Sequence, residues 1–249
     1  MHSFLLIGQS NAGGRGFPNE VEPIDNDNIF VLRNGKWRKM YVPVNADRVT
    51  SGICLIESFA DLYSKENNVE VGIIPCADGG SSIDQWAEGG LLFDHACYMT
   101  ELASRTSDVV GVLWHQGESD CSDDRYPLYE EKLKLFIESL RKKTNLYDVP
   151  FILGGLGDFL KDCNRHDYFK NYTYINDALM KIAQEDKTIG FASAQGLLAN
   201  PDNLHFSADA LREFGVRYYN EYKKIGYNSK QISKHKSFEP IINNDIELL

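Results

Sequence analysis

Basic residues are in the minority and form no long run: 26 Lys and Arg stand against 36 Asp and Glu in 249 residues, a formal net charge of -10. Such a surface repels phosphate backbones and anionic lipid heads, so the balance argues against nucleic acid and membrane surfaces as partners and favours a neutral or cationic ligand. Cysteine is also scarce. Cys54, Cys76, Cys97, Cys121 and Cys163 form an odd set without a CxxC pair or regular spacing, which suits neither a disulfide framework nor a zinc site and reads as reduced thiols. No apolar run approaches the roughly 20 residues of a membrane-spanning helix. The first such run, Phe4-Leu5-Leu6-Ile7, follows Met1-His2-Ser3 without a basic leader, and a cytoplasmic location is expected. There is no internal repeat and no low-complexity segment, and nothing in the chain fixes an oligomeric state. What is abundant is core: 43% of residues are hydrophobic, which excludes a disordered or collagenous chain.

Those apolar residues fall into two patterns. Five short runs of strand length, 3–7, 69–75, 109–115, 150–153 and 188–192, lack clean alternation, so both faces of each strand should be covered. Between and after them run stretches of helical period: Ile56, Phe59, Ala60 and Tyr63; Leu92, Ala96, Met99 and Ala103; Tyr129, Leu133, Phe136 and Leu140; Ile175, Leu179 and Ile182; Leu211, Phe214, Tyr218 and Tyr222. Strict strand–helix alternation predicts an α/β fold, a single-domain three-layer αβα sandwich over 1–249 with a five-stranded parallel sheet. Residues 17–50 are too many for a routine connection. Within them, two strand-like runs flank Asn34-Gly35, so this segment is expected to be a hairpin excursion outside the sheet that either walls a cleft or decorates the surface. A loose C-terminal tail is expected from about residue 226.

In an open parallel sheet, ligands bind beyond the carboxyl ends of the strands, so the residues leaving those ends carry the chemistry. They are Gly8-Gln9-Ser10-Asn11, then Ala77-Asp78-Gly79-Gly80-Ser81-Ser82, then Trp114-His115-Gln116-Gly117-Glu118, and finally Asp202-Asn203-Leu204-His205. Ser10, taken singly, reads first as a helix N-cap. The surrounding glycines make neither a phosphate loop nor a dinucleotide fingerprint, because the Lys-Ser/Thr ending and the third glycine are missing. His205 lies in a loop before the last helix, not on an apolar stripe. Asp202, three residues earlier, is spaced so that a turn brings its carboxylate to the imidazole Nδ1, although a turn residue bonded to its own loop has the same spacing. Backbone N–H groups of Ser10 and a glycine, with the Gln116 amide, would supply donors to a developing oxyanion. Each feature has a structural use by itself, but a nucleophile, a base with an orienter and oxyanion donors at one sheet edge point together to acyl transfer.

The GQSN block at 8–11, the Gly79-Gly80-Ser81-Ser82-Ile83 turn with Trp86 beyond, the WHQGESD block at 114–120, and Asp202 to His205 with Phe206-Ser207 resemble the SGNH (GDSL-like, flavodoxin-type) hydrolases. Within them they are most similar to carbohydrate esterase family six and the sialic acid O-acetylesterases, over nearly the whole chain. The resemblance implies that Ser10 is the nucleophile, His205 the general base and Asp202 its orienting partner. It implies Gly79, before Gly80, as the glycine donor, and puts Gln116 where the wider superfamily uses asparagine. Glu118 stands as a rival partner for His205, with a supporting network as its first reading. The acidic set Glu118, Asp120, Asp123 and Asp124 reads as a solvated loop, not a metal site; neither metal nor cofactor is implied. The expected substrate is a small acetylated carbohydrate, acetylated xylan fragments first and O-acetyl sialic acid second, hydrolysed through an acyl-enzyme with activity falling at acid pH as His205 protonates. Trp37 and Trp86 are core residues first and sugar-stacking platforms second. The rivals are a lipid or thioester hydrolase on the same scaffold and a non-catalytic carbohydrate-binding protein.

Overall fold

A computed structural model describes residues 1–227. Seven strands, β1 (His2–Gly8), β2 (Ile29–Arg33), β3 (Lys36–Lys39), β4 (Val71–Pro75), β5 (Asp108–His115), β6 (Phe151–Gly154) and β7 (Ile189–Ala192), join in one sheet of order β3-β2-β4-β1-β5-β6-β7. Helices α1 (Ser10–Gly13), α2 (Leu55–Asn67), α3 (Leu91–Ala103), α4 (Tyr126–Thr144), α5 (His166–Phe169), α6 (Tyr172–Glu185) and α7 (Ala208–Ile225) connect and cover it. The unbroken apolar run of β1 is explained by its central place. Phe4 and Leu6 point to one face, with Phe59 of α2 and Leu211 and Phe214 of α7, while Leu5 and Ile7 point to the other, with Phe93 of α3, Phe136 of α4 and Leu179 of α6. All five cysteines are buried and unbridged. Among the described residues no helix is long and apolar enough to cross a membrane. The expected loose tail falls, apart from its first two residues, outside the described residues.

The sheet differs from expectation in having seven strands where five were expected. The Asn34-Gly35 hairpin does form, with both residues at positive φ, 49° and 76°, as a two-residue turn of that type requires. It is not an excursion from the sheet, however. Ile29, Phe30 and Val31 of β2 pair in parallel with Val71, Gly72 and Ile73 of β4, and β3 closes the edge antiparallel. Packing drives this: Ile29 and Val31 enter one core face, Phe30, Leu32 and Trp37 the other. Trp37 lies so close over Gly72 that a Cβ there would sit 2.6 Å from the indole ring.

The order places β1 between β4 and β5. After β1 the chain fills one side, passing out to β2 and the edge strand β3 and returning to set β4 beside β1, then builds the other side outward through β5, β6 and β7, so the carboxyl ends of β1, β4 and β5 flank the point where the winding reverses.

Candidate active site

Gly8 ends β1 with φ +127°, and a Cβ there would fall 2.1 Å from the His115 carbonyl oxygen of β5, so only glycine lets the chain turn this close to its neighbour. The Gln9 N–H donates to that same carbonyl at 2.9 Å. Ser10 opens α1, and the N-cap position belongs to Gln9, which makes no side-chain cap bond. The Ser10 hydroxyl is therefore not spent as a cap. It lies 3.0 Å from His205 Nε2.

His205 reaches this position from a loop that is tied down by the residue next to Ser10. Asn11 Oδ1 accepts from the Phe206 N–H at 3.1 Å, and its Nδ2 donates to the Leu204 carbonyl at 3.2 Å and to Glu118 Oε1 at 2.6 Å. Phe206, fully buried, packs on His115, Phe159 and Phe214. Asp202 Oδ1 accepts the N–H groups of Leu204 and His205 at 2.9 and 3.0 Å, and its Oδ2 lies 2.6 Å from His205 Nδ1. An ionised carboxylate can only accept, so Nδ1 carries the imidazole proton and Nε2 offers its lone pair to the Ser10 hydroxyl. Burial works to raise the Asp202 pKa, but the bonds from His205 and Leu204 outweigh it and hold the carboxyl below the usual carboxylate range. The structure thus brings Ser10, His205 and Asp202 into one hydrogen-bonded chain, with Asp202 in the place for which Glu118 was the rival. Glu118 instead holds Asn11, and lies 3.7 Å from His115 Nδ1.

Two of the expected oxyanion donors are already committed. Gln116 is fully buried, and its Nε2 donates to Asp120 Oδ2 at 2.6 Å, the Ser81 carbonyl at 3.1 Å and Gln9 Oε1 at 3.2 Å, so its amide pins three segments together and does not face the cleft. The Gly79 N–H donates to Asp47 Oδ2 at 2.8 Å. The expectation for both as donors is corrected by these bonds. The N–H groups of Ser10 and Gly80, by contrast, donate to nothing among the described residues, and both residues line the cleft. Gly80 has φ +79° with open space where a Cβ would be, so its backbone conformation, not crowding, requires glycine.

Residues 1–224 match the family described as "carbohydrate esterase, sialic acid-specific acetylesterase". The chain belongs to this family. A probable carbohydrate esterase of Arabidopsis thaliana is 27% identical over 244 residues, covering 86% of each chain. The crystal structure of that Arabidopsis protein superposes with a TM-score of 0.79 at 25% identity, covering 89% of this chain and 97% of the other. A carbohydrate acetylesterase from Xanthomonas citri, at 19% identity and a TM-score of 0.67 over 94% of this chain and 58% of that one, shares the fold. The chain is a carboxylic ester hydrolase of carbohydrate esterase type.

The cleft of this carbohydrate esterase is a cavity of about 420 Å³ at the carboxyl ends of β1, β4 and β5. Trp37 and Trp86, 3% and 0% exposed, are core residues; the Tyr and Phe rings that line the cleft are Tyr168 and Phe169, both in α5. Four arginines, Arg15, Arg48, Arg125 and Arg165, line the cavity with a single acidic residue, Glu118. Arg15 pairs with Asp47 and Arg48 with Asp78. Arg125 and Arg165 have no carboxylate partner among the described residues. Arg125 donates to the Ser119 carbonyl at 3.2 Å, the same oxygen that accepts the Tyr168 hydroxyl at 2.7 Å, and Arg165 stacks on Tyr168 with its guanidinium 5.1 Å from the ring centre. Neutral contacts therefore hold two guanidinium groups at the cleft without an ion pair, although Asp120 and Asp124 are near enough to feel the charge of Arg125. Whole-chain charge, from which a neutral or cationic ligand is expected, does not reveal these local cations; a neutral ligand remains compatible with them and a cationic one does not suit them. The acidic set after β5 is spent on structure: Asp120 on Gln116 and the Ile83 N–H, Asp123 on Lys170 and Asn171, Asp124 on Ser122.

Proposed function

We propose that this esterase removes O-acetyl groups from a carbohydrate through an acyl-enzyme, with Ser10 as nucleophile, His205 as general base and Asp202 as the carboxylate that orients it. The observation that carries this reading is the unbroken relay from Asp202 Oδ2 through the imidazole to Ser10 Oγ, at 2.6 and 3.0 Å. As Oγ attacks the ester carbon, Nε2 takes its proton, and the imidazolium is stabilised by Asp202. The carbonyl oxygen, now negative, rests on the free N–H groups of Ser10 and Gly80. The C–O bond to the sugar breaks as Nε2 returns the proton to the departing sugar hydroxyl. Water, deprotonated in turn by Nε2, then attacks the acetyl-Ser10 ester, and acetate and the free serine hydroxyl result.

For the sugar, the unpaired guanidinium groups of Arg125 and Arg165 favour an acetylated sugar bearing a carboxylate over a neutral xylan fragment, since a fork of N–H donors matches a carboxylate. The Arabidopsis and Xanthomonas relatives are carbohydrate esterases by name, which supports the acetyl carbohydrate class without choosing between these. Ser10→Ala, with its fold checked by circular dichroism, is expected to lose acetate release from 4-nitrophenyl acetate and from acetylated sugars by at least about 1,000-fold. A variant as fast as the parent would remove the nucleophile. On a panel of acetylated sugars, carboxylated members are expected to show the higher kcat/KM. Equal or better turnover of acetylated xylan oligosaccharides would reject the acidic-sugar reading, and better turnover of long acyl chains than acetyl would reject the acetyl class.

A further inference from the structure

Resting on that hydrolase reading, we propose that Asp47, held by Arg15, is a positioning residue for the oxyanion site: it fixes the Gly79–Gly80 turn against the Ser10 turn so that the free N–H groups of Ser10 and Gly80 converge on one oxygen.

The two turns leave the carboxyl ends of the adjacent parallel strands β1 and β4, and one backbone hydrogen bond, from the Asp78 N–H to the Gly8 carbonyl at 2.9 Å, joins them at their start; past it, at Gly79 and Gly80, side chains must set their separation. The segment returning from β3 to α2 does so. Asn45 meets the turn first, donating from Nδ2 to the Ala77 carbonyl at 3.0 Å and accepting from the Ala77 N–H at 3.1 Å, as a paired strand would. Asp47 and Arg48 then take Gly79 from both ends of its peptide units. Asp47 Oδ2 accepts the Gly79 N–H at 2.8 Å, and Arg48 Nη2 donates to the Gly79 carbonyl at 3.0 Å. Arg15, on the same turn as Ser10, donates Nη2 to Asp47 Oδ2 at 2.7 Å and Nη1 to Oδ1 at 3.2 Å. One carboxylate oxygen thus holds a guanidinium from the nucleophile turn and an N–H from the glycine turn. Ser51 Oγ and Asn45 Nδ2, each 3.0 Å from Oδ1, complete its acceptor sites.

The pair is buried, with Arg15 and Asp47 side chains 7% and 5% exposed, and a buried ion pair is a poor source of stability because desolvation offsets most of the attraction. What such a pair does supply is register between the segments it joins. Space enforces the same arrangement: a Cβ on Gly79 would sit 2.6 Å from Arg15 Nη2, 2.9 Å from Asp47 Oδ2 and 3.6 Å from Ser10 Cβ, so the glycine turn packs directly on the pair and the nucleophile. Oxyanion donors act only when they are aimed in advance at the oxygen's final position, and a displacement well under 1 Å is enough to weaken them.

The test is Asp47→Asn, which keeps shape but removes the charge that pairs with Arg15 and sets an NH2 donor either against the Arg15 Nη1 and Asn45 Nδ2 donors at Oδ1 or against the Arg15 Nη2 and Gly79 N–H donors at Oδ2. Active sites are counted by titration with an organophosphate, so that kcat is expressed per competent site and a misfolded fraction does not count. With 4-nitrophenyl acetate, kcat per site is expected to fall about 10- to 100-fold with KM within about twofold, below the effect of deleting a donor outright. Phenylboronic acid, whose tetrahedral adduct on Ser10 places an anionic oxygen among the same donors, is expected to weaken by the same factor. A purely structural role would reduce the number of titratable sites and leave both per-site values alone. Should Asp47→Asn yield no soluble protein, Arg15→Lys keeps the charge and loses the fork, and the same paired loss, smaller, is expected. Per-site kcat and boronate affinity within threefold of the parent in either variant would overturn the proposal. A parent without esterase activity would overturn the hydrolase reading and this inference with it, whereas an active parent with an indifferent variant overturns this inference alone.

Discussion

Replacing Asp202 by Asn tests the orienting role through geometry that the site already dictates. Asp202 Oδ1 accepts two loop N–H groups, from Leu204 and His205, so the asparagine oxygen is kept there and its NH2 is forced toward His205 Nδ1 in place of Oδ2. An NH2 facing Nδ1 requires that nitrogen to accept. The proton then moves to Nε2, which can no longer take the Ser10 proton. Carboxylate and imidazolium centred about 4 Å apart attract by ~1 kcal/mol in water and ~4 kcal/mol at an effective dielectric of about 20. With the Asp202 side chain 47% exposed and that of His205 20%, a value of about 2–3 kcal/mol lies between those limits, or roughly 30- to 150-fold in kcat. The loss is set below the ~10,000-fold of a fully buried protease triad because solvent screens this carboxylate. Initial rates on 4-nitrophenyl acetate and on an acetylated sugar at pH 7, with KM measured in parallel, give the number. A loss under threefold in a well-folded variant would refute the assignment. A larger loss from Glu118→Gln than from Asp202→Asn would shift it to the other carboxylate.

Removing both Arg125 and Arg165 as alanines is expected to raise KM for a carboxylated acetyl sugar about tenfold, since each partly screened guanidinium contributes on the order of 0.5–1 kcal/mol, with 4-nitrophenyl acetate unchanged. Equal loss on both substrates would make the arginines structural. Asn11→Ala leaves Glu118 Oε1, the Leu204 carbonyl and the Phe206 N–H without their partner, and unfolding in urea is expected to come about 2–4 kcal/mol sooner, with kcat lowered as the His205 loop loosens. Burial works to raise the Asp47 carboxyl, but Arg15, Gly79 and Ser51 hold it below the usual carboxylate range. A depressed carboxylate stabilises the fold above its unfolded pKa of about 3.9, and that contribution disappears as pH falls through the lower folded value. The urea midpoint of the parent should therefore drop more between pH 6 and pH 3 than that of Asp47→Asn; identical drops would mean that Asp47 is not held ionised by its partners.

How much of this was legible in the residues depended on whether the signal was local. The five parallel strands at 3–7, 69–75, 109–115, 150–153 and 188–192 were readable because a strand covered on both faces must be apolar at successive positions. The run from Ile29 to Leu32 carries the same mark and joins the same sheet, but the Asn34-Gly35 turn made it look like a separate hairpin. The meeting of Ser10, Asp202 and His205 was readable because each lies where a strand or loop delivers it to one sheet edge, and topology alone brings those ends together. Gln116 sits at that edge too, yet which way its amide turns depends on three acceptors, Gln9, Ser81 and Asp120, from three separate segments. Asp47 left still less trace. It lies in an aperiodic stretch where Asn45, Asp47 and Arg48 look like ordinary loop composition, and only the fold shows that this stretch passes beside the Ala77–Gly80 turn.

Net charge says little about the cleft for a related reason. A total of -10 governs the field far from the surface, and at physiological ionic strength that field fades within about 8 Å. Inside a cavity the nearest groups decide, and here they are arginines drawn from four segments that only the fold assembles: the Ser10 turn, the return from β3, the approach to α4 and the approach to α5. Asp47 and Asp78 neutralise the two beside the glycine turn, where spare cationic charge would compete with the oxyanion donors for the bound ester. Arg125 and Arg165 also line the cleft but make no ion pair among the described residues; their direct contacts are a carbonyl and an aromatic face, and Asp120 and Asp124 act on Arg125 only at longer range. The cleft is therefore electrically divided. In the proposed reaction the neutral acetyl group would meet the paired side, and the charge of the sugar would decide how well it sits on the other.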